Sequence, residues 1–228
     1  MTGSQLCELR SLEKVSAGRR ARTEAQKQLR RRVILDSANK HLGDVGYEAF
    51  SMAKLGKLAG VAKGTLYLYF ETREDVLLAL FCEKMAVWSG RFSEMVRSDS
   101  SDEQFARNFN DVMHSDSGIL PLLSRLDSVI EHNVSLEKVI QSKRLMARMM
   151  TEIAEVLAPR LRLSVEQAND AVGSLTFLWL GTAQMGAGSK LDTSRLPDDV
   201  RQFAESFKSE QTFITNACRI LSGIRAGQ

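Results

Sequence analysis

The residues best equipped for chemistry lie close together: Lys63, Thr65, Tyr67 and Tyr69, alternating with Gly64, Leu66 and Leu68. An ammonium, a hydroxyl and two phenols on about two helical turns can bond both phosphate oxygens and base edges. The first turn of such a helix adds unsatisfied N–H groups beside Lys63, and Gly64 lets backbone approach a phosphate closely. A second cationic group precedes it. Between Met1 and Arg32 nine Lys or Arg residues accompany three Glu, a charge of +6, while the other 196 residues carry −3. The overall +3 hides this skew. A basic head on a slightly acidic body reads either as a solvated charge run or as the footprint of a polyanion partner.

Other chemistry is thinly supplied. Cys7, Cys82 and Cys218 are odd in number and far apart, which fits a reducing compartment and no disulfide framework. His41, His114 and His132 have no Cys or carboxylate at metal-ligand spacing. No Walker loop, dinucleotide fingerprint or nucleophile elbow occurs. The expectation is therefore no metal, no cofactor and no enzyme activity. No signal-peptide stretch and no run near eighteen apolar residues occurs, so a cytoplasmic protein with no membrane contact is expected.

Positioning the polar cluster falls to helices. Only Pro121, Pro159 and Pro197 occur in 228 residues, which favours an all-α chain. Residues 1–20 read as a flexible basic arm. From about Thr23 the stride Leu29, Val33, Ala38, Leu42 predicts a helix with one buried face, ended by Gly43 and Gly46. Ser51 offers an N-cap for a short helix over 52–58, with Leu55 and Leu58 inward. Gly60 suits a left-handed turn residue, and a second short helix follows over 62–70. Two short helices joined at a glycine are the helix-turn-helix signature, whose second helix enters the major groove. Either both tyrosines face outward, or Tyr67 packs inside the head and Tyr69 alone is exposed.

The stretch Gly46-Tyr47-Glu48-Ala49-Phe50-Ser51, Leu55, and then AGVAKGTLYLYFETRED from Ala59 to Asp75 resembles the DNA-binding domain of the TetR (tetracycline-repressor) family. The likeness covers about residues 25–80. Members of that family often carry Thr at Ser51, Ala at Gly56, a polar or basic residue at Leu68 and Lys at Arg73. Ser51 and Arg73 keep the chemistry, whereas Gly56 weakens its helix and Leu68 either removes a DNA contact or joins the core. The resemblance implies a homodimeric, all-helical transcriptional regulator with a three-helix head over 21–71 and an effector-binding, dimerising body over 72–228. It implies that Ser51 and Arg73 hold phosphates, that Lys63, Thr65 and Tyr67 face the groove with Gly64, and that Tyr69 touches the backbone. Arg19, Arg20 and Arg22 then read as an arm reaching for minor groove or phosphates. Arg30, Arg31 and Arg32 are consecutive and cannot all face one strand.

The body follows as a series of amphipathic helices. A long one runs from a Thr72 cap to about Val96, with Leu77, Leu80, Phe81, Met85, Trp88 and Phe92 as its stripe. Next comes a helix through Phe105, Phe109 and Met113, then one opened by Pro121 with Leu122, Leu126, Val129 and Ile130 inward. Another runs from Ser135 to a stop near Pro159, and another from Ser164 to about Met185. After a linker over 186–199 a final helix carries Phe203, Phe207, Ile214, Ala217, Leu221 and Ile224. The effector pocket is expected among Trp88, Phe92, Phe105, Phe109, Met113, Met146, Met149 and Met150, with His132, Asn108 or Gln141 as polar anchors. These residues read equally as plain core. The last two helices, through Ala171, Leu175, Leu178, Trp179, Phe207, Ile214, Ala217 and Leu221, are expected to pack against a second copy or to complete an internal bundle. The leading functional expectation is a repressor that binds a palindromic operator as a dimer and is released by a small apolar or aromatic effector. The alternative is a DNA-bound scaffold of the same fold that acts through a protein partner.

Overall fold

A computed structural model describes residues 3–95, 101–187, 193–206 and 209–227, with side chains over 24–92, 94, 101–185, 194–203 and 210–227. Among the described residues every element is helical. The chain divides into two compact units, Met1–Val76 and Leu77–Gln228.

The first unit holds α1 (Gly3–Ala49), α2 (Met52–Leu58) and α3 (Lys63–Tyr69). Ile34, Leu35, Ala38 and Leu42 are buried, one stripe at helical spacing. Leu29 and Val33, expected on that stripe, lie outside it at 65% and 42% exposure, because Ile34 and Leu35 occupy the inward face. Gly43 does not end α1. The path breaks at Gly46, whose φ of 74° suits a residue without Cβ. Ser51 opens α2 as expected, and Gly60 takes φ 64° in the turn before α3. Leu55 and Gly56 form the inward face of α2, leaving Leu58 at 43% exposure rather than inside.

α4 (Arg73–Met95) starts on a reciprocal cap. Thr72 Oγ1 accepts the Asp75 N–H at 3.0 Å, and Asp75 Oδ2 accepts those of Glu71 and Thr72 at 3.0 and 3.1 Å. In the second unit follow α5 (Asp102–His114), α6 (Ile119–Leu123), α7 (Leu136–Leu161), α8 (Val165–Ala187), α9 (Asp198–Ser206) and α10 (Ser209–Ala226). α8 packs against α7 and α10, and α10 also packs against α5. Arg225 ties α10 to α5 through two bonds to the Asp102 carboxylate, at 2.6 and 2.7 Å.

Two expectations for this unit are corrected. The helix opened by Pro121 is broken into α6, a π-type turn (Leu126–Ile130) and a 3-10 turn (Glu131–Asn133), though Leu122, Leu126 and Ile130 are buried as expected. The bond from the Ile130 N–H to the Arg125 carbonyl, 2.9 Å, spans the wide π ring. α7 stops near Pro159 as expected, at Leu161, ending on left-handed Arg162. The final helix is described as α9 and α10, and Phe203, expected inward, is 66% exposed. Phe213 fills the core instead.

One corner is held by an ion pair between a buried lysine and a half-buried aspartate. Lys84 on α4, 7% exposed, reaches both carboxylate oxygens of Asp116 at 2.7 and 2.8 Å. Asp116 Oδ1 also accepts the Gly118 N–H at 2.8 Å. A Cβ added to Gly118 would lie 2.8 Å from Lys84 Cε, so the lysine stem fills the space a side chain would need.

Candidate nucleic-acid interface

The interface is built on the corner between α1 and α3. Ser51 Oγ accepts the Lys54 N–H at 3.4 Å, a cap that sets where α2 begins. The Ser51 N–H donates to His41 Nε2 at 3.3 Å, and the imidazole lies 4.9 Å from the Phe50 ring. Burial foremost, and then the Lys54 charge, push His41 below its ordinary 6.5. The neutral ring supplies the lone pair that the Ser51 N–H needs. Past Gly60, the Val61 N–H returns to the Gly56 carbonyl at 3.0 Å and closes the turn.

On α3, Leu66 is buried and Phe70 closes the helix from inside, so the opposite face must look outward. Lys63, Gly64, Tyr67 and Leu68 share that exposed face, with Tyr67 at 41% and Leu68 at 83%. Thr65 and Tyr69 are half-buried on its flank. Tyr67 is therefore not inside the head, and Leu68 is not core. Lys63 Nζ lies 5.9 Å from the Tyr67 ring centroid, one turn away. The stripe can thus offer an ammonium, a phenol and an accessible backbone to a polyanion.

Arg73 is placed differently from the expectation. It is half-buried, donates from Nη2 to the Tyr47 carbonyl oxygen and lays its guanidinium 4.6 Å over the Tyr47 ring. Ser51 stays at the surface with its hydroxyl engaged as a cap. The side chains of Arg19, Arg20 and Arg22 lie outside the described residues.

In the second unit the expected effector residues gather in part. Trp88, Phe92, Phe105 and Phe109 interlock as an aromatic cluster: Phe92 lies 5.1 Å from Trp88 and 5.2 Å from Phe109. Phe213 stacks on Phe109 at 5.7 Å, a partner the sequence stripe assigned to neither residue. Met113 and Met149 are buried, and Met146 and Met150 half-buried. His132 is exposed in its turn, with Nδ1 2.6 Å from the Asp127 carbonyl oxygen. Asn108 and Gln141 bond Gln104 and Glu137 one turn back along their own helices.

The stripe expected to face a second copy is turned inward. Ala171, Leu175, Trp179, Ile214, Ala217 and Leu221 are buried in the protomer's own core, where α8 meets α7 and α10, and Leu178 is half-buried against it. Phe207 lies outside the described residues. The face α8 leaves exposed instead carries Ser174, Phe177, Gly181 and Met185. No helix among the described residues is long and apolar enough to cross a membrane.

Comparison with known proteins mirrors the same division. Residues 34–80 match the family model of bacterial regulatory proteins, tetR family. Residues 83–227 match the tetracyclin repressor-like, C-terminal domain. A fatty acid metabolism regulator protein of Bacillus subtilis (strain 168) is 40% identical over 74 residues, 32% of this chain. The aligned part spans 36% of that relative, so the chain matches about a third of its length. A crystal structure of a possible TetR family transcriptional regulator from Streptomyces coelicolor A3(2) superposes with a TM-score of 0.57 at 16% identity. It covers 87% of this chain and all 100% of its own. TetR from Acinetobacter baumannii AYE superposes at 0.56, also 16% identical, over 85% of this chain and 95% of its own. At such identities the two structures speak for the fold.

Proposed function

Because the chain belongs to the TetR family of bacterial transcriptional regulators, we propose that it is a cytoplasmic, ligand-responsive repressor that binds a palindromic operator as a homodimer. The observation that carries this is the outward stripe of α3, where Lys63, Gly64 and Tyr67 stand together on the second helix of a helix-turn-helix. Thr65, half-buried beside it, would face the groove, and Tyr69 would touch the backbone. A two-fold reader needs two heads at fixed spacing, and the exposed face of α8 around Phe177 is where a second copy would pack. The effector is a small apolar molecule taken up among the aromatic and methionine side chains of the second unit. The fatty acid metabolism regulator among its relatives favours acyl compounds within that class. Ligand with greater affinity for a dimer whose heads miss successive major grooves would weaken operator binding by linkage.

The test is selection of bound fragments from the chain's own genome, followed by titration of variants. An inverted repeat should be enriched. Lys63→Ala and Tyr67→Ala should each lose it while thermal melting and oligomeric state stay unchanged. Unchanged operator affinity in both variants would sink the assignment of α3.

A further inference from the structure

Two buried hydrogen-bond donors, Lys84 and Trp88, stand one turn apart on α4. At positions i and i+4 they share one side of the helix. The Trp88 indole N–H is enclosed and meets no acceptor among the described residues. Native interiors seldom leave a donor in that condition, because its lost water is not replaced. Its surroundings are apolar: the ring lies 5.1 Å from Phe92 and 6.2 Å, edge-on, from Phe109. Lys84 does have an acceptor. Its ammonium bonds both oxygens of Asp116, at 2.7 and 2.8 Å, but the lysine side chain is 6% exposed and the aspartate 32%. Asp116 comes from the loop between α5 and α6, where it also accepts the Gly118 N–H at 2.8 Å. The cation is fixed inside, while its anion stands at the border with water, where another carboxylate can arrive.

We infer that this side of α4 holds the head of an apolar carboxylic acid, a carboxylate on a hydrocarbon body. One oxygen takes the Lys84 ammonium in place of Asp116, and the other accepts the Trp88 N–H. The hydrocarbon lies against the rings of Trp88 and Phe92. A carboxylate supplies two acceptors and a charge, and the helix offers two donors, one of them charged. In the free protein Asp116 is the internal substitute for that head, so binding releases Asp116 and the loop that carries it. The inference rests on reading the second unit as the effector-binding body. It adds the chemistry of the effector, an acid rather than an alcohol or ester, and an internal competitor that sets its affinity.

Titration calorimetry of the full chain with decanoate and with decanol, each below its solubility limit, is the test. Wild type should bind the acid about tenfold more tightly than the alcohol, because the alcohol makes no charged pair with Lys84. Asp116→Asn should raise decanoate affinity about threefold or more and leave decanol unchanged, since the competing charge is gone. Trp88→Phe keeps a ring and removes the donor, and should lower decanoate affinity about threefold or more with melting retained. Lys84→Met should bring decanoate down to the level of decanol. Equal affinity of wild type for acid and alcohol overturns the assignment and leaves the apolar-effector reading intact. An Asp116→Asn variant that melts earlier and binds decanoate no better also overturns it, because the pair is then a structural tie alone. Binding of neither compound by wild type overturns the apolar-effector reading and this inference together.

Discussion

Arg73 reaches back across the head to Tyr47, donating to its carbonyl oxygen and stacking on its ring at 4.6 Å. The guanidinium does two things at once that an ammonium cannot, because its plane stacks while its edge donates. Arg73→Lys should therefore lower stability by about 1 kcal/mol, a few degrees of melting temperature. The salt slope of DNA binding should stay as in wild type. A slope reduced by about 0.9 with unchanged melting would show Arg73 on a phosphate instead.

His41 gives the head a pH dependence with a definite sign. Its folded value lies below the unfolded 6.5, through burial first and the Lys54 charge second. Below 6.5 the unfolded chain binds a proton that the folded head resists, so stability falls as pH drops from 6.5 to the folded value and then levels. Above 6.5 the contribution is complete. Denaturant titrations of wild type and His41→Gln between about pH 5 and 7.5 should differ in slope only within that window. Parallel curves would remove His41 as the source.

Two glycines of the helix-turn-helix should respond with opposite signs. At Gly56 a Cβ would meet the Val61 carbonyl oxygen at 3.5 Å and Leu66 Cδ2 at 3.7 Å, ordinary contacts. Gly56→Ala should stabilise by up to about 1 kcal/mol, since alanine loses less freedom in a helix. Gly60 has φ 64°, and Gly60→Ala should cost about 1 kcal/mol although space around it is open. Chemical denaturation of the two variants side by side reads both signs.

The proposed dimer face separates Phe177 from its neighbour Leu175. Phe177 is 76% exposed and Leu175 is fully buried. Phe177→Glu should yield a monomer by light scattering, with the melting of the protomer retained. Leu175→Glu should unfold the second unit, because it buries an unpaired carboxylate. A dimeric Phe177→Glu variant would move the interface to another face.

Much of the head was legible in sequence because its determinants are local. Ser51 caps the helix directly after it, Gly60 adopts the positive φ that its turn requires, and Thr72 with Asp75 closes a cap within four residues. The body was legible as helices but not as faces. A stride of 3.6 says that Ala171, Leu175 and Ile214 share stripes, and cannot say whether those stripes meet each other or a second copy. Arg73 obeyed the same logic: its partner Tyr47 lies 26 positions away, so the sequence displayed a cation and concealed its anchor.

The Lys84–Asp116–Gly118 corner carries a constraint on how this chain can drift over generations. Lysine length at 84 and the missing side chain at 118 are matched parts of one fitting, with 2.8 Å between the lysine stem and the Cβ that is not there. A methyl group at 118 forces the end of the buried lysine to shift, and a shorter residue at 84 removes the cation from the Asp116 carboxylate. Each change disturbs the other's place, so in descendants of this chain the two positions should covary.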